Sequence, residues 1–270
     1  MENTNKTNNK GYALITGGTS GIGFELAKLF AQDGYHLVIV ARDEDKLKIT
    51  AYELEKIGAN VTLISKNLFR ADSAQEVYDI VKAKGIHIDV LVNNAGHGHY
   101  GEFLYTSLEM EINIIQLNII SLITLTKLFL KDMVAKGEGK ILNVSSIASK
   151  SPGPWQSVYH ATKAFVQSFT EALRIEVKSW NINVTALLPG MTDTDFFNKA
   201  NMNDSKALQD KRKLADPADV AKDGYEALMQ GKDMIISGLK NKIEVAFRSI
   251  TPDEKNAEKI AKSEEPVHKL

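Results

Sequence analysis

Tyr159 and Lys163 stand four residues apart in the stretch SSIASKSPGPWQSVYHATK, which runs from Ser145 to Lys163. On a helix that spacing puts both side chains on one face, about one turn apart. A fixed ammonium favours phenolate over phenol and pulls a tyrosine pKa down from about 10 towards neutrality. A tyrosine tuned in this way passes a proton to or from a substrate oxygen at cellular pH. The spacing alone decides little, because Tyr52 with Lys56 and Tyr78 with Lys82 share it. About one such pair is expected by chance in a chain this rich in lysine, so the choice among the three rests on the elements that would position them.

The 270 residues are 43% hydrophobic, enough to bury one large core, and a single domain is expected. Thirty-three basic against thirty-four acidic side chains leave a net charge of −1, which gives no electrostatic reason for a nucleic-acid partner. A small-molecule substrate is expected instead. Cysteine is absent, which excludes disulfides and thiolate metal sites and is compatible with a reducing compartment; cytoplasmic localisation is the default. Residues 1–10, MENTNKTNNK, read as a mobile arm without the apolar segment of a signal peptide. The apolar stretch Ile112 to Leu130 is interrupted by Asn113, Gln116, Asn118 and Lys127. It fits a helix buried in the protein or at an interface better than a membrane span.

From Tyr12 onward, short β-rich runs (YALIT, HLVIVA, VTLIS, DVLVNNA, KILNVSS, NINVTALL, MIIS) alternate with stretches of period near 3.6. That alternation implies an α/β fold, a doubly wound parallel sheet with helices on both faces, whose ligands bind beyond the carboxyl ends of the strands. The first run opens into TGGTSGIGFELAKLF. Gly17, Gly21 and Gly23 permit a tight turn, a close approach of backbone to phosphate, and helix-to-strand packing, while the helix start offers free N–H groups to an anion. This is the reading of a dinucleotide site, although the glycine spacing differs from GxGxxG. After the second run, Ala41 stands where an acid would bind ribose hydroxyls, and Arg42 follows. A guanidinium there forks onto a 2′-phosphate, favouring NADP over NAD; the alternative is a solvated charge beside Asp43, Glu44 and Asp45.

With Asn93-Asn94-Ala95-Gly96 after the fourth run, a lone Asn118 in the next helix, the serine strand end, YxxxK, and Pro189-Gly190 followed by a threonine, the chain resembles the short-chain dehydrogenases/reductases from Tyr12 to about Gly238. The resemblance implies a Rossmann-type sheet of about seven strands in a domain spanning 11–250. It also implies an NADP-dependent oxidoreductase moving a hydride to or from a carbonyl or secondary alcohol carbon. In the family the catalytic serine lies thirteen residues before the tyrosine, which selects Ser146 and leaves Ser145 to line the site by its backbone. The Ser146 hydroxyl then stabilises the substrate oxygen rather than attacking it. The same resemblance selects Tyr159 as general acid/base, with Lys163 lowering its pKa and bonding the nicotinamide ribose. Asn118, twenty-four residues beyond Asn94, would hold a proton-relaying water; the alternative is an amide that merely satisfies a backbone carbonyl.

The implied cofactor contacts are Gly17, Thr19, Ser20, Gly21, Ile22 and Gly23 in the turn, Arg42, then Asn94, Ala95 and Gly96, and finally Tyr159, Lys163, Pro189, Gly190, Thr192 and Thr194. Asn67 and Leu68 complete them, Asn67 standing where the family carries an aspartate. Residues 191–213 take the place of the family's substrate lid. His97 and His99 flank Gly98, a spacing that suits half a metal site, but no third ligand is apparent and a place at the substrate mouth for His99 fits better. Leu239, Ile243, Phe247 and Ile250 recur at helical spacing and imply a helix docked on its own domain, with partner or membrane docking the alternative. Residues 251–270 read as a charged, frayed tail. Homo-dimers or tetramers are expected, because the family pairs through the fourth and following helices. A cofactor-binding sensor or scaffold without catalysis is the rival reading; such proteins lose the tyrosine or lysine, and here all four catalytic positions are filled.

Overall fold

A computed structural model describes residues 10–209 and 214–267; the expected N-terminal arm up to residue 9, lid residues 210–213 and tail residues 268–270 lie outside them. Seven parallel strands form one sheet in the order β3-β2-β1-β4-β5-β6-β7. They are β1 (Tyr12–Thr16), β2 (His36–Ala41), β3 (Val61–Ser65), β4 (Ile88–Asn93), β5 (Gly139–Val144), β6 (Ile182–Leu188) and β7 (Met234–Ile236). Successive residues of a strand enter opposite cores: Ala13 and Ile15 join Leu26 and Phe30 of α1 (Gly21–Gln32), while Leu14 joins Val77 of α3 (Ser73–Ala83) and Phe129 of α5 (Ser121–Lys136). Burial on both faces is why these runs read as continuous β-branched and aliphatic sequence. Strand order reverses between β1 and β4, and the crevice at that switch point is where such sheets take ligands.

The chain from Leu108 to Lys136 is one long rod, α4 (Leu108–Ile115) and α5 joined by a π-helical turn at Gln116–Ile120. Among the described residues it is the helix long and apolar enough to cross a membrane. Leu117, Leu125, Phe129 and Met133 are buried in the core beneath the sheet, whereas Leu108 and Ile112 are exposed. Gly137 ends the rod in the left-handed conformation. Two further helices follow, α6 (Ser157–Glu176) after β5, which lines the site, and α8 (Pro217–Met229) before β7, which packs with α1 in the core.

The end of the chain departs from expectation twice. Helix α9 (Leu239–Ile250) turns Leu239, Ile243, Phe247 and Ile250 outward, at 72%, 50%, 64% and 80% exposure. It attaches by the opposite face: Val245 is buried, Asn241 Nδ2 donates to Ser237 O at 2.6 Å, and Arg248 donates to Ile147 O and Ser151 Oγ. Periodicity fixes which residues share a face but not which face turns inward, and here amide and guanidinium donors reaching free carbonyls decide it. The second departure is the tail, which is ordered as α10 (Asp253–Glu264), with Asn256 and Ile260 buried. Asn256 Nδ2 donates to Arg248 O and Thr251 O at the junction with α9, and α10 packs against the turn at Lys206–Leu208 instead of fraying.

Candidate active site

The site is built where β1, β4, β5 and β6 end. Gly17 turns the chain out of β1 with φ +65°, and Gly23 packs so closely that a Cβ there would collide with Gly17 O and the Asn94 amide. Asn94 Nδ2 donates to Thr16 O (2.9 Å) and Gly17 O (3.1 Å), tying the two sides of the switch point together. Thr16, which sequence reading passed over, completes the tie: its Oγ1 accepts from the N–H groups of Asn94 and Ala95. A strand-end threonine just before the glycine turn was the available signal.

One cavity of about 1150 Å³ runs from this turn to the far side of β6. The expected cofactor contacts from Gly17 to Thr194 all line it, together with Ser146, Tyr159 and Lys163. Its volume exceeds the roughly 300–1,000 Å³ of an ordinary single-ligand pocket, enough for a dinucleotide beside a substrate. The glycine cradle supports that fit: a Cβ on Gly96 would stand 3.2 Å from Lys163 Nζ, so the backbone edge beside the lysine is left clear. On the cavity wall the Arg42 guanidinium lies 5.6 Å from the Phe69 ring centroid, and among the described residues no carboxylate pairs with it. The neighbouring Asp43 is occupied in capping α2 (Glu44–Glu55), where it accepts from Lys46 N.

Helix α6 carries Tyr159 and Lys163 and is pinned to the end of β5 at two points. Ser145 Oγ donates to Lys163 O at 2.8 Å, and Lys163 Nζ donates to Val144 O at 2.9 Å. Ser145 therefore positions the helix through its side chain, while its backbone N–H donates to Leu187 O of β6. Ser146 caps the short turn that follows, its Oγ accepting from Ala148 N at 3.1 Å. All three tyrosine–lysine pairs set the ammonium near the ring, at 4.0 Å for Lys56 and 5.8 Å for both Lys82 and Lys163. Position separates them, because Tyr159 lines the cavity and Tyr52 is 61% exposed on the outside of α2.

The electrostatics differ from the expected tuning. Burial pushes the Tyr159 phenol up to about 12, countered by its hydrogen bond with Ser146 and reinforced by the negative charge of Glu264. Burial likewise pulls Lys163 down to about 8. The ammonium is directed at Val144 O and stays 5.8 Å from the ring centroid, so desolvation of both groups outweighs their mutual attraction. Among the protein's own groups, Ser146 opposes the rise of the phenol.

Asn118 sits in the π-helical turn behind the cavity wall, a local distortion frequent at functional sites. Its Oδ1 accepts from His97 N at 2.9 Å, and its Nδ2 donates to His97 O at 2.9 Å and Thr162 Oγ1 at 3.0 Å. The amide thus satisfies a backbone carbonyl and is also held beside Lys163. His97, rather than His99, lines the cavity; burial lowers its pKa. Among the described residues no cluster of three or more metal-ligating side chains occurs.

At and around the far end of the cavity stand aromatic residues that the sequence offers only as signs of a partly apolar pocket, Tyr100, Trp155 and Phe196, together with Gln156 and Glu264, which it did not single out. Phe196, in the short helix α7 (Phe196–Lys199) of the expected lid, packs 5.3 Å from the Tyr159 ring centroid and against Gly98. Trp155 is held at φ 71°, a strained backbone for a bulky residue, by Gly101 N donating to its carbonyl and its own Nε1 donating to Ala261 O. Beside it, Gln156 Nε2 donates to Glu264 Oε2 at 3.0 Å, and Tyr100 donates its hydroxyl to Glu264 O. Helix α10, through Ile260, Ser263 and Glu264, therefore walls this end of the cavity. Its charged composition carries no sequence signal for that role.

A parallel sheet with a glycine turn at its switch point and a tyrosine, serine and lysine at the adjoining strand ends defines a dinucleotide-dependent α/β oxidoreductase. The family model for short chain dehydrogenase matches residues 11–205, and the chain belongs to that family. It is 31% identical over 252 residues to dehydrogenase/reductase SDR family member 7B of Xenopus laevis, covering 88% of this chain and 77% of that one. It is 37% identical over 185 residues to very-long-chain 3-oxoacyl-CoA reductase of Rattus norvegicus, covering 66% of this chain and 58% of the relative. Among solved structures, a short-chain dehydrogenase from Sphingobium yanoikuyae in complex with NADPH superposes with a TM-score of 0.78 at 27% identity, over 90% of this chain and 96% of that one.

Proposed function

We propose that this protein is an NADP(H)-dependent oxidoreductase interconverting carbonyl compounds and secondary alcohols, with Tyr159 as the proton carrier. The observation that carries the cofactor preference is Arg42, a guanidinium without a carboxylate partner among the described residues on the wall of the cavity, after a strand that ends in Ala41 rather than an acid. A cation so placed suits a 2′-phosphate. The relative solved with NADPH points the same way.

When bound, the dinucleotide supplies or takes the hydride. In reduction Tyr159, protonated at neutral pH, delivers its phenolic proton to the developing alkoxide, and the Ser146 hydroxyl donates to the same oxygen as charge builds there. Lys163, at about 8, gains or loses a proton within the working range of pH. Asn118, locked to His97 and Thr162, carries the water that connects Lys163 to solvent in this reading. The pinning of α6 to β5 holds tyrosine and serine in fixed relation, the positioning on which such catalysis depends.

The test is a fluorescence titration with NADPH and NADH combined with turnover on a panel of ketones. Tighter binding of NADPH is expected, and Tyr159→Phe should lower kcat by at least about a thousandfold while leaving NADPH binding within about twofold. Near-normal turnover in that variant would refute the role of the phenol. Equal affinity for the two dinucleotides would refute the cofactor preference.

A further inference from the structure

At the substrate end of the cavity, the carboxyl of Glu264 is set into an otherwise partly aromatic wall. It belongs to α10, the helix that walls this end, and it lines the same cavity as Ser146 and Tyr159. Gln156, the residue just before α6, grips it. Gln156 stands three residues before Tyr159 with its backbone outside the helix, at φ −142° and ψ 40°, and both residues line the cavity. The carboxyl shares the cavity with the phenol, and its negative charge adds to the rise of the phenol pKa.

The hydrogen bonding at this point is incomplete in a specific way. Gln156 donates Nε2 to Glu264 Oε2 at 3.0 Å, which fixes the amide orientation, because the reversed amide would set its oxygen against a carboxylate. Gln156 Oε1 is then buried without a partner. The second oxygen of Glu264 is not among such sealed atoms, and Glu264 faces the cavity. Among the described residues no cation pairs with this carboxyl. Arg248, the nearest charge to act on it, is committed to Glu244 at 2.5 Å, to Ser151 Oγ and to Ile147 O. A largely buried carboxyl with one oxygen paired to Gln156 and the other open to the cavity is a strong acceptor, and a substrate that displaces solvent from that oxygen without offering a donor leaves it unpaired.

We infer that Glu264, held by Gln156, is the specificity-determining acceptor of the substrate pocket and selects carbonyl substrates that carry a hydroxyl donor on the arm reaching towards α10, against isosteric alkyl and carboxylate substrates. The inference rests on the hydride-transfer reading above: hydride passes to the carbonyl carbon, the proton of Tyr159 passes to its oxygen, and the hydroxyl on the arm is unchanged. Burial raises the pKa of Glu264, with Gln156 and Arg248 opposing, in keeping with a carboxyl that lacks a full partner. The placement is also robust to substitution, since Tyr100 holds the backbone carbonyl of residue 264 rather than its side chain.

The experiment follows NADPH oxidation with acetophenones bearing a hydroxymethyl, ethyl or carboxylate group at ring position 3 or 4. The wild-type chain should reduce the better hydroxymethyl isomer with kcat/KM about tenfold or more above its ethyl counterpart, with the carboxylate below both. Glu264→Leu should bring the hydroxymethyl-to-ethyl ratio close to one. Glu264→Gln keeps an acceptor for Gln156 and should chiefly relieve the discrimination against carboxylate, so it carries the test if the leucine variant does not fold. A wild-type enzyme that turns over all three without preference, or ratios unchanged in both variants, overturns the role of Glu264 and leaves the hydride-transfer reading intact. Absence of NADPH consumption with every ketone overturns that reading and this inference with it.

Discussion

A primary amine with only 5% of its surface exposed, such as Lys163, keeps its proton at a cost to the fold. Its pKa falls from 10.5 to about 8, so between those values the unfolded chain binds more protons than the folded one. Stability therefore rises as pH increases across that window, and the penalty is fully present below about 8. Such a shift corresponds to roughly 3 kcal/mol, against which stands the bond to Val144 O, worth about 1 kcal/mol. Lys163→Met is accordingly expected to abolish turnover yet raise Tm at pH 7 by roughly 4–8 °C, and the gain should shrink between pH 7 and 9.5. Thermal unfolding of both chains across that range checks it; a gain independent of pH, or a loss, would show that burial of the ammonium is not the cause. Tyr159, Ser146 and Lys163 were legible as residues because a motif places them. Their electrostatics were not, because desolvation depends on Phe196 and α10, which reach the tyrosine from distant sequence.

Among the elements, strands and helices were legible wherever two independent signals agreed. The run YALIT followed by the glycine turn gave β1 and the start of α1. The π-helical turn around Asn118 was not legible, since no residue type announces it. Helix α9 shows the limit of periodicity: the apolar stripe was recognised and its direction was not. Ile243 and Phe247 are 50% and 64% exposed, so they contribute little to the fold of this chain. The double substitution Ile243→Ser with Phe247→Ser should leave Tm within about 2 °C and kcat/KM within about twofold, while a Val245→Ser change, at a buried position on the same helix, should lower Tm measurably. Differential scanning fluorimetry distinguishes the two. A large loss in the double variant would mean that the outward face is covered in solution.

At the scale of the molecule, a sheet in the order β3-β2-β1-β4-β5-β6-β7 separates two tasks. The two cores on either side of it set the strand ends, while residues between Met191 and Ala207 and helix α10 wall the cavity beyond them. The tether of α10 runs through Trp155, Gln156 and Tyr100 rather than through the strands. Its large buried side chain is Ile260, so removing the helix forfeits roughly 2–3 kcal/mol. A chain ending at Thr251 should therefore still unfold cooperatively, with Tm lower by roughly 4–12 °C and an unchanged far-UV circular dichroism signature per helical residue. The cavity would be opened at its substrate end, and burial, the main cause of the raised phenol of Tyr159, would be reduced. Its pKa should move down from about 12 towards the ordinary tyrosine value, visible as an earlier phenolate transition in near-ultraviolet absorbance that Tyr159→Phe removes. KM for carbonyl substrates should rise, because one wall of their site is gone, whereas NADPH affinity, set at the other end by the glycine turn and Arg42, should change little. Loss of cooperative unfolding in the shortened chain would place α10 in the core of the fold rather than on its active site, and unaltered KM would remove it from the substrate wall.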